Sequence, residues 1–266
     1  MVFVAFLFFV SERKPLLVYG INPVLEALKA RRVTRLRVSG RSDKRIDEIL
    51  ALAAQQGLSV DRVDPQALDR ASKGGVHQGV VAETAPPRDF TVADLATVAG
   101  TEGASHGGHQ PLIVVLDGIE DPHNVGAILR TCDAAGATGV VRQQRHSASL
   151  DGVVAKASAG AVAHVRIATV VNIARAIEEL KDAQVWTIGL AGDAPEEYTA
   201  VDWTLPSAIV LGAEGTGLRR LVRERCDRLV RLPMSGSVDS LNVSVAAGVV
   251  LYEAVRQRDG RDSGKG

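Results

Sequence analysis

Between residues 112 and 232 short apolar runs recur, each closed by small or polar residues and most followed by a helical pattern. Leu112–Gly118, Gly139–Arg142, His164–Ile167, Val185–Leu190, Ala208–Leu211 and Leu229–Leu232 read as strands. Strands this apolar suit a parallel sheet with helices on both faces. A composition dominated by alanine, valine, leucine and glycine, with only 4% aromatics, agrees with that α/β class.

Residues 15–84 alternate strand and helix signals on a smaller scale. Leu16–Gly20, Leu36–Ser39, Leu58–Val63 and Gly79–Glu83 are strand-like. Asn22-Pro23 opens a helix through Arg32, and Asp43–Gln56 is a second helix stopped by Gly57. The expectation is a small N-terminal α/β domain over 15–84 and a linker over 85–110, with one weak helix at Val92–Ala99. A larger α/β domain over 111–258 and a polar tail over 259–266 follow. Residues 1–14 form an apolar extension, too short to span a bilayer and lacking signal-peptide features. It reads as a mis-assigned start or a loosely packed segment.

Lysines plus arginines equal aspartates plus glutamates at 31 each, so net charge gives no argument for nucleic-acid binding. Its distribution does. Between Ser11 and Arg45 ten basic residues face three acidic ones, a pattern open to two readings: a phosphate-attracting surface or a solvated helix face. The two cysteines, Cys132 and Cys226, fall in expected helices without metal-ligand spacing. The expectation is a cytoplasmic protein with free thiols, no metal and no membrane contact.

Three polar, glycine-bearing clusters follow apolar runs: Asp121–Arg130, Gly212–Gly217 and Leu232–Ser244. Each looks like a strand-to-loop-to-helix junction, where open α/β sheets build ligand sites. Asn124 is expected as the N-cap of a helix from Val125, and Ser240 or Asn242 as the cap of the last helix. The glycines at 212, 215 and 217 suit close backbone approach to a ligand or positive φ. No Gly-x-Gly-x-x-Gly follows a first strand and no Walker pattern occurs. No nucleophile–base pair is evident, and His123 reads as a structural or hydrogen-bonding group.

With these residues assembled, 111–258 resembles the SpoU/TrmH family of S-adenosylmethionine-dependent RNA ribose 2′-O-methyltransferases, within the SPOUT superfamily. The resemblance rests on Asn124-x-Gly126-x-x-x-Arg130, Gly212-x-Glu214-x-x-Gly217, and Pro233-Met234 leading to Ser240-Leu241-Asn242-Val243-Ser244, with Lys156–Ala161 as a further segment. The N-terminal part, through Tyr19-Gly20-Ile21-Asn22-Pro23 and Gly75–Ala82, is similar to the substrate-binding domain of the 23S rRNA guanosine branch.

The resemblance implies a C-terminal trefoil knot and a homodimer whose subunits complete each other's sites. It implies S-adenosylmethionine as cofactor, contacted by Gly212, Leu232 and Leu241, and a reaction site of Asn124, Arg130, Glu214, Ser240 and Asn242. The substrate implied is RNA, a guanosine of 23S rRNA near the peptidyl-transferase centre. A tRNA substrate or a non-catalytic RNA-binding role are the alternatives, and a base methyltransferase fits the Arg/Asn/Ser set less well. Arg142-Gln-Gln-Arg145-His146 departs from relatives that carry a proline and a lysine there. A free arginine has a pKa above roughly 12, so Arg130 suits stabilising an alkoxide and anchoring a phosphate; a deprotonated Arg130 is the rival. The apolar helix from Leu241 to Arg256, broadened by Val245, Val249 and Val255, suits a two-fold interface.

Overall fold

The computed structural model describes residues 15–40, 44–85, 90–97, 110–150 and 152–262. The expected apolar extension, most of the expected linker and the last four residues lie outside them.

Strand β1 (Leu16–Tyr19) ends at Gly20, whose φ of 93° turns the chain into α1 (Ile21–Lys29). Glycine takes that conformation without strain. Gln78 Oε1 accepts the Ile21 N–H across the turn at 3.1 Å. Then come β2 (Val33–Val38), α2 (Lys44–Gln55), β3 (Val60–Arg62), α3 (Pro65–Ala71) and β4 (Val80–Thr84). The four strands pair in the order β1-β4-β2-β3. Helix α3 departs from the sequence reading, because Leu68 is its one buried residue and no apolar period shows.

Within the stretch expected as a linker, Phe90 bridges to Ala168 and α4 (Val92–Ala96) buries Val92 and Leu95. A capping box between Thr91 and Asp94 opens that helix. These residues belong to the core of the larger unit.

That unit runs β5 (Leu112–Asp117), α5 (Pro122–Ala134), β6 (Gly139–Gln143), α6 (Gly152–Ala157), β7 (Ile167–Val170), α7 (Ile173–Asp182) and β8 (Trp186–Leu190). It continues with β9 (Glu196–Glu197), β10 (Ser207–Gly212), α8 (Arg220–Arg225), β11 (Arg228–Arg231) and α9 (Val243–Asp262). The seven strands form a parallel sheet of order β7-β6-β5-β10-β8-β11-β9. Strand β5 is buried at all six positions, as its unbroken apolar run predicts. It pairs with β10 from Leu112–Ser207 to Asp117–Gly212, so two expected junctions end side by side. Strand β11 lies between β8 and β9, which are joined by residues 191–195. Arg231 Nη1 donates to the Ala194 and Pro195 carbonyls of that connection, both at 2.7 Å.

Several boundaries move; β2 begins at Val33 rather than Leu36, and α1 ends at Lys29 rather than Arg32. Strand β7 begins at Ile167 rather than His164, because a 3-10 turn over Ala161–Ala163 uses the preceding residues. Cys226 caps the end of α8 instead of lying within a helix. Helix α9 continues to Asp262, through residues expected as a polar tail.

The two units are packed together. The Tyr19 ring sits against Gly75 and Gly152, where an added Cβ would collide with it. Arg32 donates to the Ala163 carbonyl at 3.1 Å and the Ala85 carbonyl at 3.2 Å, and burial lowers its pKa. Val18, Leu28 and Leu36 share one apolar cluster with Ile128, Ala155 and Val162.

Candidate active site

Asp121 opens α5. Its carboxylate accepts the N–H groups of His123 at 3.1 Å and Asn124 at 3.3 Å, and Pro122 occupies the first helical position. Asn124 is therefore not the expected N-cap; it lies in the first turn, and its side chain is released for another use. The residue is 6% exposed. Its Nδ2 donates to Glu214 Oε1 at 3.1 Å, and its Oδ1 accepts from Asn242 Nδ2 at 2.9 Å.

Asn242 Nδ2 also donates to Glu214 Oε1, at 2.7 Å. Both hydrogens of one amide are thus used, one on each partner. Asn242 Oδ1 accepts from the Ser244 N–H at 2.9 Å and the Ser244 hydroxyl at 2.6 Å. Of the two expected caps for α9, Asn242 is the one that acts.

Glu214 rides on a tight hairpin in which Ala213 and Gly217 exchange backbone hydrogen bonds of 3.2 and 2.8 Å. Gly215 and Gly217 hold φ at 76° and 67°. A Cβ on Gly212 would fall inside the backbone of Gly217 and Leu218. The returning chain itself demands glycine at 212, before any ligand does. Gly126 has a similar origin: a Cβ there would overlap Ala157 where α5 crosses α6.

Two cavities meet at this hairpin. The larger, about 680 Å³, is lined by Gly212, Leu232 and Leu241 together with Glu214, Ser240 and Asn242. The smaller, about 540 Å³, is lined by Asn124, Asp117 and Arg219, and shares Ala213, Glu214, Thr216 and Gly217 with the first. Both sizes suit small ligands or one flipped nucleotide.

Sequence reasoning missed several of their walls. Asp193 and Arg223 form a two-pronged ion pair of 2.8 and 3.0 Å beside the larger cavity, and that arginine holds the Asp193 carboxyl below its usual range. Asp117 and Arg219 pair across 102 residues at the rim of the smaller one. Separation in sequence hid both pairs.

Arg130 behaves differently. It is exposed on α5, lines neither cavity, and makes no hydrogen bond or ion pair among the described residues. A single chain therefore brings together Asn124, Glu214, Ser240 and Asn242 without Arg130. Part of the basic segment is paired: Lys29 with Glu26 and Arg35 with Asp61, both at 2.8 Å, and Arg37 with Glu83 at 2.5 Å, while Arg32 is half-buried between the units. Acids distant in sequence, Asp61 and Glu83, neutralise two of the ten basic residues that suggested a phosphate-attracting surface.

Residues 111–252 match the model of the SpoU rRNA Methylase family. The chain belongs to this family. Residues 17–90 match a second model, RNA 2′-O ribose methyltransferase substrate binding. The 23S rRNA (guanosine-2′-O-)-methyltransferase RlmB of Pseudomonas putida is 46% identical over 247 residues, covering 91% of this chain and 96% of that protein. Its namesake from Vibrio cholerae is 44% identical over 245 residues, covering 91% and 97%. The SpoU methyltransferase AviRb from Streptomyces viridochromogenes, solved in complex with the cofactor AdoMet, superposes with a TM-score of 0.76 at 26% identity. That alignment covers 92% of this chain and 90% of AviRb.

The larger cavity fits the S-adenosylmethionine of this family. It offers main-chain groups of a glycine hairpin, apolar walls from Leu232 and Leu241, and hydroxyl and carboxylate groups at its mouth. Among the described residues no cluster of His, Cys, Asp or Glu could hold a metal ion, and no helix is long and apolar enough to cross a membrane.

Proposed function

We propose that this SpoU-family chain transfers a methyl group from S-adenosylmethionine to the ribose 2′-hydroxyl of a guanosine in 23S rRNA. One observation carries the reading: Asn124, Glu214 and Asn242 are locked together where the two cavities meet. The bound cofactor supplies an electrophilic methyl. The chain must align a ribose oxygen and ease the loss of its proton, and alignment alone can lower a barrier by roughly 7–11 kcal/mol. Asn124 and Glu214 fix the geometry of the junction, and Ser240 lines the donor side.

Arg130 supplies the positive charge that stabilises the developing alkoxide and anchors the adjacent phosphate. Its absence from the walls of both cavities of its own chain supports a homodimer in which each subunit lends Arg130 to the other's site. Val245, Val249 and Tyr252 on α9 are 51%, 37% and 52% exposed, a stripe that a second copy would cover. The insertion of β11 between β8 and β9 supports a knotted chain, in which the return to α9 threads a loop already made. We place the enzyme in the cytoplasm, with its rRNA.

The test is to incubate the purified protein with labelled S-adenosylmethionine and 23S rRNA, then map ribose methylation. A single 2′-O-methylguanosine is expected, and its absence overturns the reading.

A further inference from the structure

The smaller cavity poses a charge problem for an RNA-binding surface. Four carboxylates line it, those of Asp117, Glu120, Asp121 and Glu214, against Arg219 and His146. Such a pocket repels phosphate. It would accept an uncharged base, provided something in it reads a base edge.

Arg219 is built for that. Asp117 is fully buried at the end of β5, with its side chain wholly inaccessible, whereas the Arg219 side chain is 49% exposed. Asp117 Oδ1 accepts from Arg219 Nε at 2.6 Å and from Nη2 at 2.5 Å, and Oδ2 accepts the Arg219 backbone N–H at 2.8 Å. The guanidinium is therefore gripped along its Nε side. Its far edge, with one hydrogen from each terminal nitrogen, faces away from the carboxylate in a fixed plane. Two parallel donors on a rigid edge match two adjacent acceptors. On the major-groove edge of the four RNA bases, guanine alone has such a pair, O6 and N7; adenine places an N–H₂ donor beside its N7. A splayed-out RNA base exposes this edge to a protein.

We propose that Arg219, held by Asp117, reads the O6/N7 edge of the target guanine in the smaller cavity and sets base specificity. This rests on the rRNA guanosine reading above.

The test compares kcat/KM for an rRNA fragment carrying guanosine, 7-deazaguanosine or adenosine at the methylated position. For the wild-type chain, 7-deazaguanosine, which lacks the N7 acceptor, and adenosine should each cost about tenfold to a hundredfold. Arg219→Lys keeps the charge beside Asp117 but lacks the fork. It should lose a similar factor on guanosine and treat guanosine and 7-deazaguanosine nearly alike, with cofactor affinity by calorimetry and melting temperature close to wild type. Equal wild-type rates on guanosine and 7-deazaguanosine overturn the proposal without recourse to any variant. So does an Arg219→Lys enzyme that keeps wild-type turnover and its sensitivity to the analogue. If Arg219→Lys instead flattens the salt dependence of binding equally for all three RNAs, Arg219 grips phosphate and the proposal fails. Absence of methylation of guanosine by the wild type overturns the rRNA reading itself, a result distinct from the other three.

Discussion

Asn124 and Asn242 stand 118 residues apart in sequence and share an amide-to-carbonyl hydrogen bond of 2.9 Å. Both amides also converge on one oxygen of Glu214. The first turn of α5, the hairpin after β10 and the residue that precedes α9 are tied at this point, which is where the two cavities meet.

Glu214→Ala removes the acceptor on which both amides converge. The node is partly open to solvent, so the cost to stability should be about 1 kcal/mol, a fall in melting temperature of about 2–4 °C. Methyl transfer should fall much further, because the loop between the cavities is no longer held. Calorimetric melting and turnover on the same preparation check both parts; unchanged turnover would remove Glu214 from the site.

Gly212→Ala should abolish cofactor binding, since the added carbon would occupy the backbone of Gly217 and Leu218 and force the hairpin open. Gly215→Ala meets no neighbouring atom but must hold a positive φ, so it should weaken binding less. Titration of S-adenosylmethionine in excess chelator, where the wild type should still saturate, ranks the three proteins.

Arg130→Ala and Asn124→Ala should each be inactive while still binding cofactor, and Arg130→Lys should not restore turnover. If each site takes Arg130 from one subunit and Asn124 from the other, mixing the two inactive proteins regenerates one intact site per heterodimer. Recovery of activity on mixing is the expected result. Two variants that stay inactive together would mean that a single subunit supplies both residues to its site.

Val249→Asp puts a charge in the exposed stripe of α9 without touching the buried face of Ala247, Val250, Leu251 and Ala254. It should convert a dimer to a monomer by light scattering, with far-ultraviolet dichroism unchanged and turnover lost. A wild-type chain that is monomeric and fully active would discard the two-fold arrangement.

Burial pushes the thiols of Cys132 and Cys226 up to about 12. A raised thiol pKa lowers the thiolate fraction, so at pH 8 about one molecule in ten thousand is reactive. A thiol reagent should leave the folded protein unmodified over the time in which denatured protein reacts at both positions. Mass spectrometry of the two samples decides it.

Much of this was legible in the residues. The unbroken apolar runs at Leu112–Leu116 and Ala208–Leu211 announced central buried strands, and the polar residues after them announced the loops that meet there. What escaped was whatever depends on partners brought in by folding. Asn124 reads as a cap until Asp121 is seen to hold the helix N-terminus. The basic residues of β2 read as a charged face until Asp61 and Glu83 arrive from β3 and β4. Arg130 has the right spacing within its motif, yet it lies outside both cavities of its own chain, which no spacing can show.

The Tyr19 ring seated against Gly75 and Gly152 has a mechanical consequence. The unit that matches an RNA substrate-binding family model packs directly against the unit that carries the glycine hairpin and its cavities. Two units packed in this way would act as a gauge. An RNA held by one and methylated at the other would have to span the distance that their packing sets. Selection among many ribose hydroxyls would then be made by length as well as by base.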